Sequence, residues 1–181
     1  MNGQVDFQQM RVLLVGGKPA AVQILRTAFG MLGLKYVMVV AESARAIEAL
    51  RCQQFSAIFC DATAERYEGM TFPVAARRTP GVVNPMTPLF MICTLARQNQ
   101  VELARDFGVT DVLTHPVSAA TISRKLWAAL KAPRPFIVAP SFFGPDRRTK
   151  RPPGWQGDDR RIRIAKKTRL AVADDSDKVY V

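Results

Sequence analysis

The chain has 181 residues, of which 48% are hydrophobic, and its formal net charge is +11. This length and apolar content fit one domain with a proper core plus an appendage, and they exclude a wholly disordered chain. We see no stretch that reaches the ~18 apolar residues of a membrane span. The first ten residues lack the basic start and apolar run of a signal peptide. We therefore expect a cytoplasmic protein without membrane insertion.

Five strand–helix units follow one another in the first part of the chain. The apolar patterns predict strands at 11–15, 36–40, 55–60, 89–93 and 111–113, and helices at 19–32, 42–50, 66–79, 98–107 and 119–131. This alternation predicts an α/β fold with a five-stranded, parallel, doubly wound sheet and helices on both faces. Ligands of such sheets bind at the carboxyl ends of the strands. The candidate residues there are Gly16, Gly17, Asp61, Thr94 and His115.

The cysteines give no indication of a metal site. Cys52, Cys60 and Cys93 are odd in number and lack the spacing of metal ligands. We interpret them as reduced structural thiols of a cytosolic protein.

The charge is concentrated behind these units. Residues 1–132 contain 14 Lys and Arg against 9 Asp and Glu, whereas residues 133–181 contain 12 against 6 in less than half that length. The second segment also has six prolines and little apolar content. We therefore predict a domain at 10–132 and an extended or disordered basic tail at 133–181, and we expect the tail to bind an anionic partner.

The tail contains the pattern Gly-x-Asp-Arg-Arg twice, at 144–148 and at 157–161, with Trp155 between the copies. Arginine forks bind phosphates and the Hoogsteen edge of guanine in a bidentate way. Aspartate can accept hydrogen bonds from guanine, and tryptophan can stack on a base. Two copies suit a two-fold ligand that carries two guanines and two phosphates.

Two other interpretations of the tail remain open. It could be a solvated basic segment that only raises solubility, or a non-specific nucleic-acid arm that depends on counterion release. A nucleic-acid arm has no use for aspartates directly before its arginine pairs, because they oppose the phosphates. An exposed Trp155 also favours a specific partner, so we do not expect nucleic acid as the ligand.

Residues 10–132 resemble a CheY-type receiver domain of two-component signalling. The markers are RVLLVGG, IFCDA, FMICT and GVTDVLTHP. In active receivers an acidic pair after the first strand holds magnesium, a later Asp is phosphorylated, a Thr or Ser signals the change, and a Lys before Pro contacts the phosphoryl group. This chain keeps Asp61 at the position of the phosphorylated Asp and Thr94 at the position of the Thr or Ser. It departs from the family at His115, which stands where the Lys should be, and at Gly16 and Gly17, which stand in place of the acidic pair.

Without that pair, a divalent cation has too few oxygen ligands, and charge on a transferred phosphoryl group is not neutralised. Asp61 is then either a working phosphoacceptor of a response regulator or a carboxylate retained without phosphotransfer. We predict the second, with Asp61, Thr94 and His115 as a vestigial site, no bound metal and no enzymatic activity.

The tail resembles the arginine-rich extension of the Cle proteins, which are CheY-like effectors of cyclic di-GMP. The match consists of FFGPDRRTKR and the second GDDRR. The Arg147–Arg151 spacing is also seen in PilZ-type sites. The resemblance implies a signalling adaptor whose tail folds around cyclic di-GMP and whose domain docks a signalling or flagellar motor protein, through a face at residues 97–132 that includes Arg97, Arg105, Arg124 and Lys125. The candidate ligand residues are Asp146, Arg147, Arg148, Arg151, Trp155, Asp158, Asp159, Arg160, Arg161 and Arg163.

Overall fold

The structure is a computed structural model that describes residues 6–94 and 97–147 and the backbone of residues 162–164. Five parallel strands form one sheet in the order β2-β1-β3-β4-β5. The strands are β1 (Arg11–Val15), β2 (Tyr36–Val40), β3 (Ala57–Asp61), β4 (Leu89–Cys93) and β5 (Asp111–Thr114). The helices are α1 (Pro19–Met31), α2 (Ser43–Cys52), α3 (Phe72–Arg78), α4 (Gln98–Asp106) and α5 (Ala119–Lys131). This architecture confirms the predicted α/β fold class.

The sheet is covered on both faces, which explains why its three central strands, β1, β3 and β4, are largely apolar runs. Successive side chains of a strand point to opposite faces. Leu14 and Phe59 therefore belong to the core under α1 and α5, while Leu13 and Ile58 belong to the core under α2, α3 and α4. None of the helices in the described residues is long and apolar enough to cross a membrane.

The third helix is shorter than the sequence pattern predicted. The pattern indicated a helix over 66–79, but α3 begins only at Phe72. Glu68 and Gly69 have positive φ angles of 48° and 75°, a conformation that a right-handed helix does not accommodate. The predicted start was wrong because a tight turn precedes the helix.

A second, small sheet follows α5. Its strands are β6 (Phe136–Ala139), β7 (Phe142–Pro145) and β8 (Ile162–Ile164), and β6 lies in the centre with an antiparallel partner on each side. The predicted tail at 133–181 included no paired strands, so this sheet was not predicted. Prolines at both ends of each short apolar run concealed the hairpin.

The β6–β7 hairpin is seated against the five-stranded domain. Phe136, Ile137 and Phe142 are buried, with exposed fractions of 7%, 4% and 7%. The backbones of Gly108 and Gly144 approach so closely that a Cβ on either glycine would come within 2.6 Å of the other segment. Gly144, the first residue of the first arginine motif, is therefore explained by packing.

Candidate functional site

Gly16 and Gly17 lie at the carboxyl end of β1, beside Asp61, where the sequence predicted them. Their φ angles are +71° and +93°, in the left-handed region that favours glycine. A Cβ on Gly16 would lie 3.1 Å from the Cβ of Ala64, and a Cβ on Gly17 would lie 3.6 Å from Oδ2 of Asp61. The edge thus has a backbone shaped for glycine, in addition to lacking two carboxylates.

Asp61 is half-buried at the end of β3, and its carboxylate accepts hydrogen bonds from the turn that follows it. Oδ1 accepts hydrogen bonds from the backbone N (2.7 Å) and from Oγ1 (2.5 Å) of Thr63. Within the part of the chain that the structure describes, no three His, Cys, Asp or Glu side chains are grouped so that they could hold a metal ion. Asp61 therefore stands as a single carboxylate with local hydrogen-bond partners.

Thr94 and His115 follow the neighbouring strands β4 and β5, so the structure brings the predicted vestigial residues to one edge of the sheet. Thr94 is exposed and His115 is half-buried, and the backbone N of His115 donates to the carbonyl of Cys93 (3.0 Å). Burial, and then the charge of Asp61, raise the pKa of the Cys93 thiol. A pocket of about 210 Å³ borders Asp61, and its walls are mainly apolar, including Phe72 and Val112.

The first arginine motif lies at a different place, across the end of α4. The guanidinium of Arg147 is 4.2 Å from the ring centroid of Phe142, and its Nη1 donates to the carboxylate of Asp106. The backbone N of Asp146 donates to the carbonyl of Pro135 (2.8 Å). Arg147 is thus joined both to the hairpin and to the last residue of α4.

The other predicted ligand residues are not described to the same extent. Arg163 is in β8, where its backbone pairs with Ile137. The remaining seven lie outside the described residues, and their role stays a prediction: Arg148, Arg151, Trp155, Asp158, Asp159, Arg160 and Arg161.

Arg77 is a structural feature that the sequence did not reveal. It is only 4% exposed, and its guanidinium donates to the carbonyls of Gly108 (3.2 Å), Pro85 (2.5 Å) and Thr87 (2.7 Å). The same group lies 5.1 Å from the ring centroid of Phe136. Burial lowers the pKa of Arg77 to about 9. A run of two arginines at a helix end gave no signal that one of them joins two loops to the hairpin.

A groove of about 380 Å³ lies on the predicted docking face, between α4, β5 and α5, and the small sheet closes one end of it. Three basic side chains and one acidic side chain line it: Arg105, Lys125, Arg134 and Asp111. Lys125 and Asp111 form an ion pair at 2.7 Å. Burial lowers the pKa of Arg134, and the charge of Arg105 acts in the same direction. The groove is therefore a positively charged depression with apolar walls.

Comparison with known proteins supports the fold assignment. Chemotaxis protein CheY4 of Vibrio cholerae superposes with a TM-score of 0.58 at 21% identity, covering 67% of this chain and 99% of that chain. A response regulator from Desulfuromonas acetoxidans gives 0.59 at 19%, covering 67% and 97%. The receiver domain of a Pseudomonas aeruginosa sensor histidine kinase, with magnesium in its active-site cleft, gives 0.56 at 23%, covering 65% and 94%.

The five-stranded domain therefore has the fold of a CheY-like receiver domain. No family model matches the chain, and no curated protein matches it. At these identities the likeness shows the fold alone.

Proposed function

We propose that this chain is a non-enzymatic, cytoplasmic signalling adaptor that binds cyclic di-GMP through residues 146–163. In this proposal the receiver domain docks a protein partner, such as a flagellar motor component, through the α4–β5–α5 face. The observation that carries the proposal is the repeated Gly-x-Asp-Arg-Arg motif with Trp155 between its copies. Each copy offers an acceptor for guanine and two forks for phosphate or guanine.

The small sheet supports this proposal because both motif copies adjoin its strands. The first copy begins within β7 and continues beyond it, and the second copy ends directly before β8. Both strands pair with β6, which is held on the receiver domain by buried Phe136 and Ile137. A ligand that engages both copies would therefore act on a structure that already contacts the receiver.

Arg147 provides a route from ligand to docking face. Recruiting Arg147 to a phosphate or guanine would break its ion pair with Asp106 and its contact with Phe142. A partly exposed ion pair contributes about 0.2–1 kcal/mol and an exposed cation–π contact about 0.5–1 kcal/mol. Breaking these contacts lowers the ligand affinity by some factor. By linkage, bound ligand shifts the equilibrium between the formed and the broken Arg147–Asp106 contact by the same factor.

The site at the carboxyl ends of the strands favours control of this protein by ligand binding over control by phosphorylation of Asp61. Gly16 and Gly17 supply no oxygen side chains, and their positive φ angles favour glycine over residues that carry a side chain. The alternative function, a response regulator phosphorylated at Asp61, keeps one favourable feature, because that carboxylate stands at the carboxyl end of the sheet.

Calorimetric titration of the full chain with cyclic di-GMP tests the proposal, with GTP and a short oligonucleotide as controls. The double substitution Asp159→Asn and Arg160→Lys raises the net charge by one unit. A guanine-reading site should lose about 1–3 kcal/mol for each specific contact removed. Trp155→Ala should cost a further 1–3 kcal/mol or so if the ring stacks on a base.

A matched control separates specific capture from bulk charge. Lys166→Gln with Lys167→Gln removes two charges just beyond the motifs. A non-specific arm should weaken after this change and bind at least as well after the Asp159/Arg160 change, since it responds to net charge. For specific capture we expect the reverse: the Asp159/Arg160 change should weaken cyclic di-GMP binding more than the Lys166/Lys167 change does. Oligonucleotide binding tighter than cyclic di-GMP binding would contradict the proposal.

A further inference from the structure

The groove on the α4–β5–α5 face has a composition that suits an acidic segment with bulky apolar residues. Its basic groups outnumber its acidic ones by three to one. Arg105 forms no ion pair with any of the residues that the structure describes. Beside Lys125, the wall formed by α5 and the residue after it has three small side chains, Ala128, Ala129 and Ala132, which leave room for larger ones.

The chain leaves the small sheet beside this groove. Ile164, the last residue of β8, pairs with Phe136 of β6. Phe136 itself lines the groove, as does Pro145 on the other neighbouring strand. The residues after Ile164 therefore start at the end of the groove that the small sheet closes.

The charge of the tail reverses further along the chain. Residues 133–173 contain eleven Lys and Arg against three Asp, whereas residues 174–181, DDSDKVYV, contain three Asp against one Lys. The latter segment also has three bulky apolar residues, including Tyr180. Nine residues separate it from β8, and an extended chain of that length spans about 30 Å. The segment can therefore reach any point of the groove.

We propose that residues 174–181 occupy this groove in their own chain. The aspartates face Arg105 and Arg134, and the Val-Tyr-Val run lies against these three alanines. The docking face is then covered by the chain's own acidic segment, and a protein partner must displace it. This proposal uses the docking face of the proposed function but does not depend on binding of cyclic di-GMP.

Covalent connection makes weak contacts sufficient for occupancy. A short linker gives an effective concentration on the order of 1 mM, so a segment with a dissociation constant of about 0.1 mM as a free peptide would be bound roughly 90% of the time. Since the contacts include exposed charges, the occupancy should fall as salt is added.

Amide NMR spectra of the full chain test the proposal. Substituting Asp174, Asp175 and Asp177 by Asn should shift the amides of groove residues such as Thr110 and Ala129, and added salt should move the wild-type spectrum in the same direction. The variant Lys166→Gln with Lys167→Gln is the matched control, because it changes charge in the same tail and should leave the groove amides in place. Unchanged groove amides in the triple variant would overturn the proposal.

A second measurement identifies the occupant. A peptide of residues 172–181, added to the triple variant, should restore the wild-type groove shifts with an affinity in the range of 0.1–1 mM. Groove shifts that depend on protein concentration in the wild type would show that the segment binds a second copy, which would also overturn the proposal. Both measurements are made without cyclic di-GMP, so they test the groove proposal even if the chain does not bind cyclic di-GMP.

Discussion

The strand-end edge gives the sharpest prediction, because its glycines can be compared with a third glycine of similar conformation. Gly16 and Gly69 have φ angles of +71° and +75°. A Cβ on Gly69 would meet nothing within 4 Å, whereas a Cβ on Gly16 would meet Cβ and Cα of Ala64 at 3.1 and 3.3 Å. Substitution at Gly69 therefore measures the cost of backbone strain alone, and substitution at Gly16 measures strain plus steric contact.

A non-glycine residue in the left-handed region costs roughly 1–2 kcal/mol. Gly69→Ala should lower the free energy of unfolding by that amount. Gly16→Ala should lower it by about 2–3 kcal/mol, because Ala64 must also move. Urea titration followed by circular dichroism measures both values. Equal losses at the two positions would refute the role assigned to Ala64.

The same reasoning predicts that an acidic pair cannot simply be restored. Gly16→Asp with Gly17→Asp should destabilise the fold by about 2–5 kcal/mol, from strain at two positions and contact at one. We expect neither the wild type nor this variant to be phosphorylated at Asp61 by a small-molecule phosphodonor with magnesium. Gly69→Asp is the control for strain alone.

A phosphate-affinity gel provides the readout, with Asp61→Asn to identify the site. Rapid, stoichiometric phosphorylation of the wild type would overturn our interpretation of the edge and revive the response-regulator function. A double variant that is as stable as the wild type and gains magnesium-dependent phosphorylation would refute the argument from backbone conformation.

Three further predictions concern the hairpin and its contacts. A chain ending at 132 should be less stable in urea than one ending at 147 by about 2–5 kcal/mol, because it lacks three buried apolar side chains; equal midpoints would show that the hairpin adds nothing. Arg77→Met should lower stability by about 2–4 kcal/mol, since three carbonyls lose a charged donor, and an unchanged midpoint would contradict this. Asp106→Asn should change stability by less than about 1 kcal/mol. It should nevertheless tighten cyclic di-GMP binding up to about five-fold by freeing Arg147; a weaker affinity in calorimetry would argue against the release mechanism.

The receiver fold could be predicted from the sequence because its three central strands, β1, β3 and β4, are largely buried on both faces. Runs such as Val12–Val15 are apolar without interruption, and helices with one apolar stripe alternate with them. The residues at the strand ends followed from topology alone, so Asp61 and His115 were placed on the correct edge. The start of α3 could not be predicted, because one turn with positive φ at Glu68 outweighs local propensity.

The hairpin could not be predicted because its stability comes from tertiary contacts. The run Phe136–Ala139 is short, and isolated two-stranded hairpins are marginal. What holds it is the approach of Gly108 to Gly144 and the guanidinium of Arg77 against Phe136, and both depend on residues about 30–60 positions away. The first arginine motif was recognised by its chemistry, but the packing role of its glycine needed the structure.

The position of the small sheet has a consequence for how the receiver can be controlled. Asp61 lies at the carboxyl ends of the strands, whereas Arg134 binds the carbonyl of Thr110 at the amino end of β5. The α4–β5–α5 face runs between the carboxyl and the amino ends of the strands. In the proposed function this face docks the partner, so the docking face can be addressed from either end of the strands. The input could then change from one end to the other without any change in the docking face.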